Sequence, residues 1–326
     1  MNRRIFISYA FCACSAFALN VSSKIKSWHL GSYGEFYFKR MNKNVFVMHG
    51  VRENPNAENM GFIHNVGLIE SKNGLIIVDP GAYNIGDNVV QQIKRISSKP
   101  VIAIFNTHDH DDHWFANSIV KNAYPKAKIY AHKLMKSAAQ ELYGGRYVKR
   151  GFTFDKAKRI DFADVLLDEG DKLTIDFENF YIQHPIKGHT NNDITIEHLN
   201  SSTIFMGDLL FEKTLANFGL NSSIYGNIEF LDKVNKQKEY KLYVPGHGLS
   251  GSKEFTFTPY LTFMNIIKDE VQKAYDDGVE FADLGPVEDK IIQRLEWRGD
   301  LHFSYKFIER FMQGLYDEID MKEAFA

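Results

Sequence analysis

The stretch VIAIFNTHDHDDHW, residues 101–114, decides how the chain is read. A short, unbroken apolar run, Val101 to Phe105, has the length and composition of a buried strand and leads straight into His108, Asp109, His110, Asp111, Asp112 and His113. Within that cluster His108, His110, Asp112 and His113 follow the pattern H-x-H-x-D-H, which puts imidazole and carboxylate donors side by side on one loop. Crowding them is unfavourable unless a cation shares them, because the neutral rings and the carboxylate would otherwise be short of partners. A polar surface loop that happens to be rich in histidine is the bland alternative.

Working outward, Val45 to His49 and Phe62 to Glu70 read as strands. Lys72, Asn73 and Gly74 form a turn before a strand from Leu75 to Val78, which ends in Asp79, Pro80 and Gly81. Helical spacing follows over Val89 to Ile96. After the cluster, His113 to Lys121 is predicted as a helix, Ala127 to Ala131 as a strand and Lys133 to Leu142 as a helix. From Asp171 the pattern returns to strands: Lys172 to Ile175, Phe180 to His184, Ile194 to His198 and Thr203 to Met206. Three more donors sit at strand-to-loop junctions, namely His189 between Gly188 and Thr190, Asp208 after Gly207, and His247 between Gly246 and Gly248. Two β-rich halves with helices between them predict a sandwich. Beyond residue 253, Thr258 and Pro259 start an amphipathic helix from Tyr260 to Tyr275, Gly278 stops it, and a further helix is expected over Phe303 to Ile319.

The 326 residues carry 39 basic and 41 acidic side chains, so no global charge draws the chain to nucleic acid or an anionic membrane, and partners must be read from the site. Arg3 and Arg4, the apolar stretch Ile5 to Phe17, and Ala16, Phe17 and Ala18 as a small-x-small site predict a cleavable export signal. The apolar run is shorter than the roughly 20 residues of a membrane span, so no stable insertion is expected after cleavage. The expected layout is a signal peptide over 1–18, a catalytic domain over 19–252, and a helical extension over 253–326 packed on the core of a periplasmic or secreted protein. Both cysteines, Cys12 and Cys14, lie in the signal. A lipoprotein at either is the minor alternative, since neither is preceded by a proper lipobox. Without thiolates the ligands are imidazole and carboxylate, which favours zinc or iron and admits manganese.

In order and spacing, Asp79, the 108–113 cluster, His189, Asp208 and His247 resemble the motifs of the metallo-β-lactamase superfamily, over residues 40 to 250. The resemblance implies an α/β fold, a four-layered αββα sandwich, here with a C-terminal helical extension. It also implies two zinc ions: one held by His108, His110 and His189, the other by Asp112, His113 and His247, with Asp208 bridging and Asp79 bonded to a ligand imidazole. A hydroxide shared by the ions is then the expected nucleophile, with Asp112 as the catalytic residue that orients it. Thr107, Asp109 and Thr190 are expected to hold loops.

Departures within the superfamily narrow the branch. His113 stands where the commonest β-lactamase subclass has Arg, and Asp208 where it has Cys. Asp208 follows the glyoxalase II pattern, and Trp114 to Asn117, Gly207 to Phe211 and the region of Tyr225 are similar to exported quinoprotein relay-system zinc metallohydrolases. The resemblance thus implies an exported binuclear zinc hydrolase of an ester, thioester, lactone or related small molecule. The alternatives are a mononuclear-iron persulfide dioxygenase, a β-lactamase of the three-histidine subclass and a non-catalytic metal-binding periplasmic protein. Tyr143 to Tyr147 and Ser222 to Asn227 are candidate lids, and His184 and Lys187 candidate substrate neighbours. His29, His49, His64, His132, His184, His198 and His302 otherwise read as structural or surface residues, and Lys233 to Lys241 as a solvated helix face.

Overall fold

The apolar runs assemble into two sheets in the computed structural model, which describes residues 37–56, 58–143, 160–219, 221–294 and 305–324. The first sheet holds β1 (Lys39–Arg40), β2 (Val45–Met48), β3 (Val66–Glu70), β4 (Leu75–Val78), β5 (Val101–Phe105), β6 (Lys128–His132) and β7 (Val165–Leu167), side by side in chain order. Its first half is antiparallel, and from β4 onward it is parallel. The second sheet holds β8 (Lys172–Ile175), β9 (Glu178–Gln183), β10 (Thr195–His198), β11 (Thr203–Phe211) and β12 (Leu242–His247) in the order β12-β11-β10-β9-β8. All its pairs are antiparallel except β11 with β12.

Alternation along the strands decides what meets between the sheets. Val45, Val47, Ile76, Val78 and Phe105 of the first sheet form one buried cluster with Phe180, Ile182, Ile196, Phe205 and Val244 of the second. Every residue of β4 is buried, so its other face is covered as well. Crossovers between the parallel strands carry α1 (Gly86–Ile96), α3 (Asn117–Ala123) and α4 (Met135–Tyr143), and the usual right-handed course of such connections puts all three on that face. Against the outside of the second sheet lie α5 (Ile224–Asn235), α6 (Thr258–Asp276), α7 (Gly285–Arg294) and α8 (Tyr305–Ala324). Ile204 and Met206 of β11 share a cluster there with Leu231, Met264, Ile291 and Leu315, one from each helix. At roughly 1.5–3 kcal/mol per fully buried side chain, these contacts hold the C-terminal helices to the sandwich. The layers are therefore αββα, and the described residues from Tyr37 onward form one compact unit.

Four sequence expectations need correction. The helix expected from His113 to Lys121 is two, α2 (Asp111–Trp114) and α3, because the backbone between them is tied elsewhere: Ala116 N–H donates to Gly81 O at 2.7 Å and Gly81 N–H to His113 O at 2.8 Å. The strand expected to stop at Met206 runs on to Phe211, with Gly207 at φ 52° marking an irregularity in its pairing with β12. Asp208 thus lies inside a strand and not at its end. Ser222 to Asn227 is largely not a loop: Ser223 caps α5, accepting the Gly226 N–H at 2.9 Å, and α5 ends at Asn235, short of the helix face expected to Lys241. The export signal, both cysteines, His29, His302 and residues 144–147 of the first candidate lid lie outside the described residues.

Candidate metal centre

The donors converge where the strand ends of both sheets meet. His108 and His110 follow β5, and Asp112 and His113 lie in the single turn of α2. His189 lies in the loop from β9 to β10, Asp208 within β11, and His247 is the last residue of β12. One donor atom from each of His108, His110, His189 and Asp208 lies within 4.8 Å of the others, and so do atoms of Asp112, His113 and His247. Asp208 faces both groups. Its Oδ2 is 3.6 Å from His108 Nε2 and 3.2 Å from His189 Nε2, whereas its Oδ1 is 3.2 Å from His113 Nε2 and 3.4 Å from His247 Nε2. Asp112 Oδ2 closes the second group at 3.7 Å from His113 Nε2 and 3.5 Å from His247 Nε2. His189 Nε2 lies 2.9 Å from His110 Nδ1 in the first.

Outer hydrogen bonds decide which ring nitrogen faces inward. Asp79, buried at the end of β4, accepts the Thr107 N–H on Oδ1 at 2.8 Å and the Thr107 hydroxyl on Oδ2 at 2.7 Å. With its proton given to Asp79, Thr107 Oγ1 can only accept from His108 Nδ1, 3.0 Å away. Asp79 Oδ2 takes the Nδ1–H of His113 at 2.9 Å, and Ile63 O takes that of His247 at 2.8 Å. All three rings are thereby set with Nε2 lone pairs toward Asp208, as ligand imidazoles need.

These inward atoms are short of partners. His108 Nε2, His113 Nε2 and Asp208 Oδ1 are buried with no hydrogen bond, an arrangement that costs stability unless something else neutralises it. Burial opposes charge on Asp208, but His247, His113, His108 and His189 around it hold its carboxyl well below the usual range. Burial also opposes charge on His113, yet Asp208, Asp112 and Asp79 outweigh it and push the imidazole well above its ordinary value. On His108 burial prevails, aided by His113, and lowers it. The pocket thus calls for positive charge between carboxylates and lone pairs, and the donor set fits divalent cations.

Glycines make the room. A Cβ on Gly246 would fall 1.9 Å from Asp208 Oδ1, and one on Gly207 would fall 2.6 Å from Thr107 Oγ1. Sequence reasoning saw these glycines only as neighbours of the donors. It also missed Asn65, whose side chain donates to Pro245 O and Gly248 O, both at 2.8 Å, and so clamps the turn that presents His247. His64 packs its ring 5.0 Å from that of His113, and Phe211 stacks on His247 at 4.8 Å with Tyr260 of α6 against it in turn. Neither an isolated Asn nor a lone aromatic carries a motif; only the fold shows what it touches. Asp109 accepts from Asn192 Nδ2 at 3.0 Å, and its carbonyl takes the Trp114 indole N–H at 2.8 Å, a loop-holding arrangement. His184 stacks on His132 at 3.9 Å and bonds Asp193 O, while His198 pairs with Glu178 and His49 with Ser250.

Comparison with known proteins agrees with this geometry. The family model described as "Metallo-beta-lactamase superfamily" matches residues 60–247. A probable metallo-hydrolase of Methanocaldococcus jannaschii is 24% identical over 197 residues, 59% of this chain and 91% of that protein. A hydroxyacylglutathione hydrolase of Synechococcus sp. is 29% identical over 136 residues, 41% of this chain and 43% of its own length. Among solved structures, a metallo-beta-lactamase from Pontibacter korlensis superposes with a TM-score of 0.55 at 15% identity, covering 71% of this chain and 99% of its own.

Proposed function

The chain belongs to the metallo-beta-lactamase superfamily and is a metal-dependent hydrolase, and from that premise we propose that it is an exported binuclear zinc enzyme acting on an ester, thioester or lactone of a small molecule. The observation that carries the binuclear reading is Asp208, which turns one oxygen to each of two otherwise complete donor sets. His108, His110 and His189 would hold one ion, Asp112, His113 and His247 the other, with Asp208 common to both. Bound there, divalent ions supply Lewis acidity and a water whose pKa falls to about 7. Iron or manganese would suit the same donors less selectively.

The chain's own residues supply orientation. Asp79 and Thr107 fix the rings of His113 and His108, and Asn65 fixes the turn of His247, so the donors are in place before substrate arrives. Asp112, whose side chain is more exposed than that of Asp208, is placed to orient water and to take its proton at Oδ2. The hydroxyacylglutathione hydrolases among the relatives favour a thioester within the substrate range. The basic start and apolar run of residues 1–18 support export.

Zinc-loaded protein should hydrolyse at least one of a panel of ester, thioester, lactone and β-lactam substrates, lose that activity to a chelator, and carry two zinc ions per chain. His110→Ala should lower zinc content and rate together. Full zinc occupancy in that variant, or one iron per chain with oxygen uptake on a persulfide, would overturn the reading.

A further inference from the structure

A cavity of about 1030 Å³ opens between α5, α8 and the two loops before His189 and after β11. Its inner wall is apolar, built from Ala216, Phe218, Ile224, Phe230 and Phe311, of which all but Phe218 are buried. Its lining carries four basic and three acidic side chains, Lys187 and Arg310 among the first and Glu229 and Asp317 among the second, so the charges are mixed and apolar contact sets what it accepts. The cavity begins one ring away from the metal centre. Phe218 lies edge-on to the ligand His189 at 5.7 Å and to Phe311 of α8 at 5.2 Å.

Two glycines shape this space. Gly314 sits in the middle of α8, where glycine weakens a helix, and lines the cavity; a Cβ there would come within 2.8 Å of Ile224 Cδ1. Gly226, in the first turn of α5, lets that helix approach the Lys187 carbonyl so closely that a Cβ would fall 2.0 Å from it. Glu318 of α8 binds the same turn, accepting the Ile224 N–H at 2.7 Å and the Ser223 hydroxyl at 2.8 Å, so α5 and α8 are joined at one side of an otherwise open space. An acetyl-sized group would leave most of such a volume to water, whereas pockets of this size enclose drug-sized ligands.

We propose that this cavity takes a bulky apolar substituent of the substrate, an acyl or alkyl group of about eight carbons or an aromatic group of similar size, while the scissile bond lies at the metal centre beyond Phe218. The proposal rests on the hydrolase reading above. Each buried methylene is worth roughly fourfold in affinity, so a preference for long substituents should be readily measured.

The test uses 4-nitrophenyl esters from acetate to decanoate and acetate esters from methanol to decanol, with the zinc-loaded protein and the variants Gly314→Leu and Met321→Trp. Met321 is at the rim and 56% exposed, so its replacement spares the fold if Gly314→Leu does not. The ratio of long-chain to short-chain kcat/KM should exceed tenfold in one series and fall at least fivefold in the variants. A flat or falling profile overturns the pocket, as does a rise that both variants leave intact. Calorimetric titration with decanoate separates the two readings. Decanoate binding that weakens at least fivefold in the variants, without turnover of any ester, thioester or lactone of the panel above, supports the pocket and overturns the hydrolase reading. Turnover of acetate esters without decanoate binding does the reverse, and neither turnover nor binding overturns both.

Discussion

Asp79 sits at φ 50°, a left-handed backbone that Asp and Asn tolerate better than most side chains; its Oδ2 holds the His113 ring directly and the His108 ring through the Thr107 hydroxyl, while its Oδ1 takes the Thr107 N–H. Asparagine keeps the backbone preference but offers only one acceptor oxygen. Asp79→Asn should therefore fold normally yet lose about 10- to 100-fold in metal affinity or in activity, because its amide NH2 must face a donor, either the Thr107 N–H at one oxygen's place or the Thr107 hydroxyl and His113 Nδ1–H at the other's. Competition with a chromophoric chelator measures the affinity, and an unchanged value would overturn the assignment. At the same scale, the donors themselves were readable from the chain. Imidazoles and carboxylates at strand ends are chemically conspicuous, and nothing else explains their density. Asn65, His64 and Phe211 were not readable, since each acts only through a contact across long sequence separations.

Elements were legible where one force dominated. β4 and β5 are uniform apolar runs bounded by polar residues, and the sequence reading of both matches the observed ends, Leu75–Val78 and Val101–Phe105. Where tertiary bonds competed with local preference, the reading failed. Gly207 looked like a strand stop, but it is an irregularity that lets β11 continue alongside β12 and carry Asp208 inward. The start of α5 looked like a loop because its free N–H groups are satisfied by Glu318 from a helix 80 or more residues away in the chain, at the far end of the sequence. The end of β12 and the Gly248 that follows it are held by Asn65. Asn65→Ala removes two buried bonds to carbonyls, each worth about 1 kcal/mol or more once those oxygens are left unmet. A destabilisation of about 2–4 kcal/mol is expected in denaturant titration, with zinc lost first from the half that includes His247; a shift under 0.5 kcal/mol would show that the clamp is dispensable.

For the whole molecule, acid stability depends in part on a buried histidine outside the donor set. Burial, with the stacked His184 ring adding to it, lowers His132 from the ordinary imidazole value of 6.5 to about 4. The folded protein thus keeps this ring neutral at pH values where the unfolded chain has already taken up a proton. Its contribution is fully present above pH 6.5 and is lost progressively as pH falls toward 4. The melting temperature should accordingly drop between pH 7 and pH 5, and less steeply in His132→Gln; parallel slopes for the two proteins would exclude His132 as the cause. The layered fold as a whole was legible because apolar runs and alternating strands recur in two blocks, while the helical cover of the second sheet was only half visible, α7 having no strong sequence signature.

Asp208 belongs to one sheet, and four of its six partner donors, His108, His110, Asp112 and His113, hang from the other. The two sheets therefore share a common origin of coordinates at a single carboxylate, and a shift of either by a fraction of an ångström is felt there. Packing between the sheets thus sets the geometry of the donor set as directly as the donor side chains do, even though each half of the sandwich is folded from its own stretch of chain.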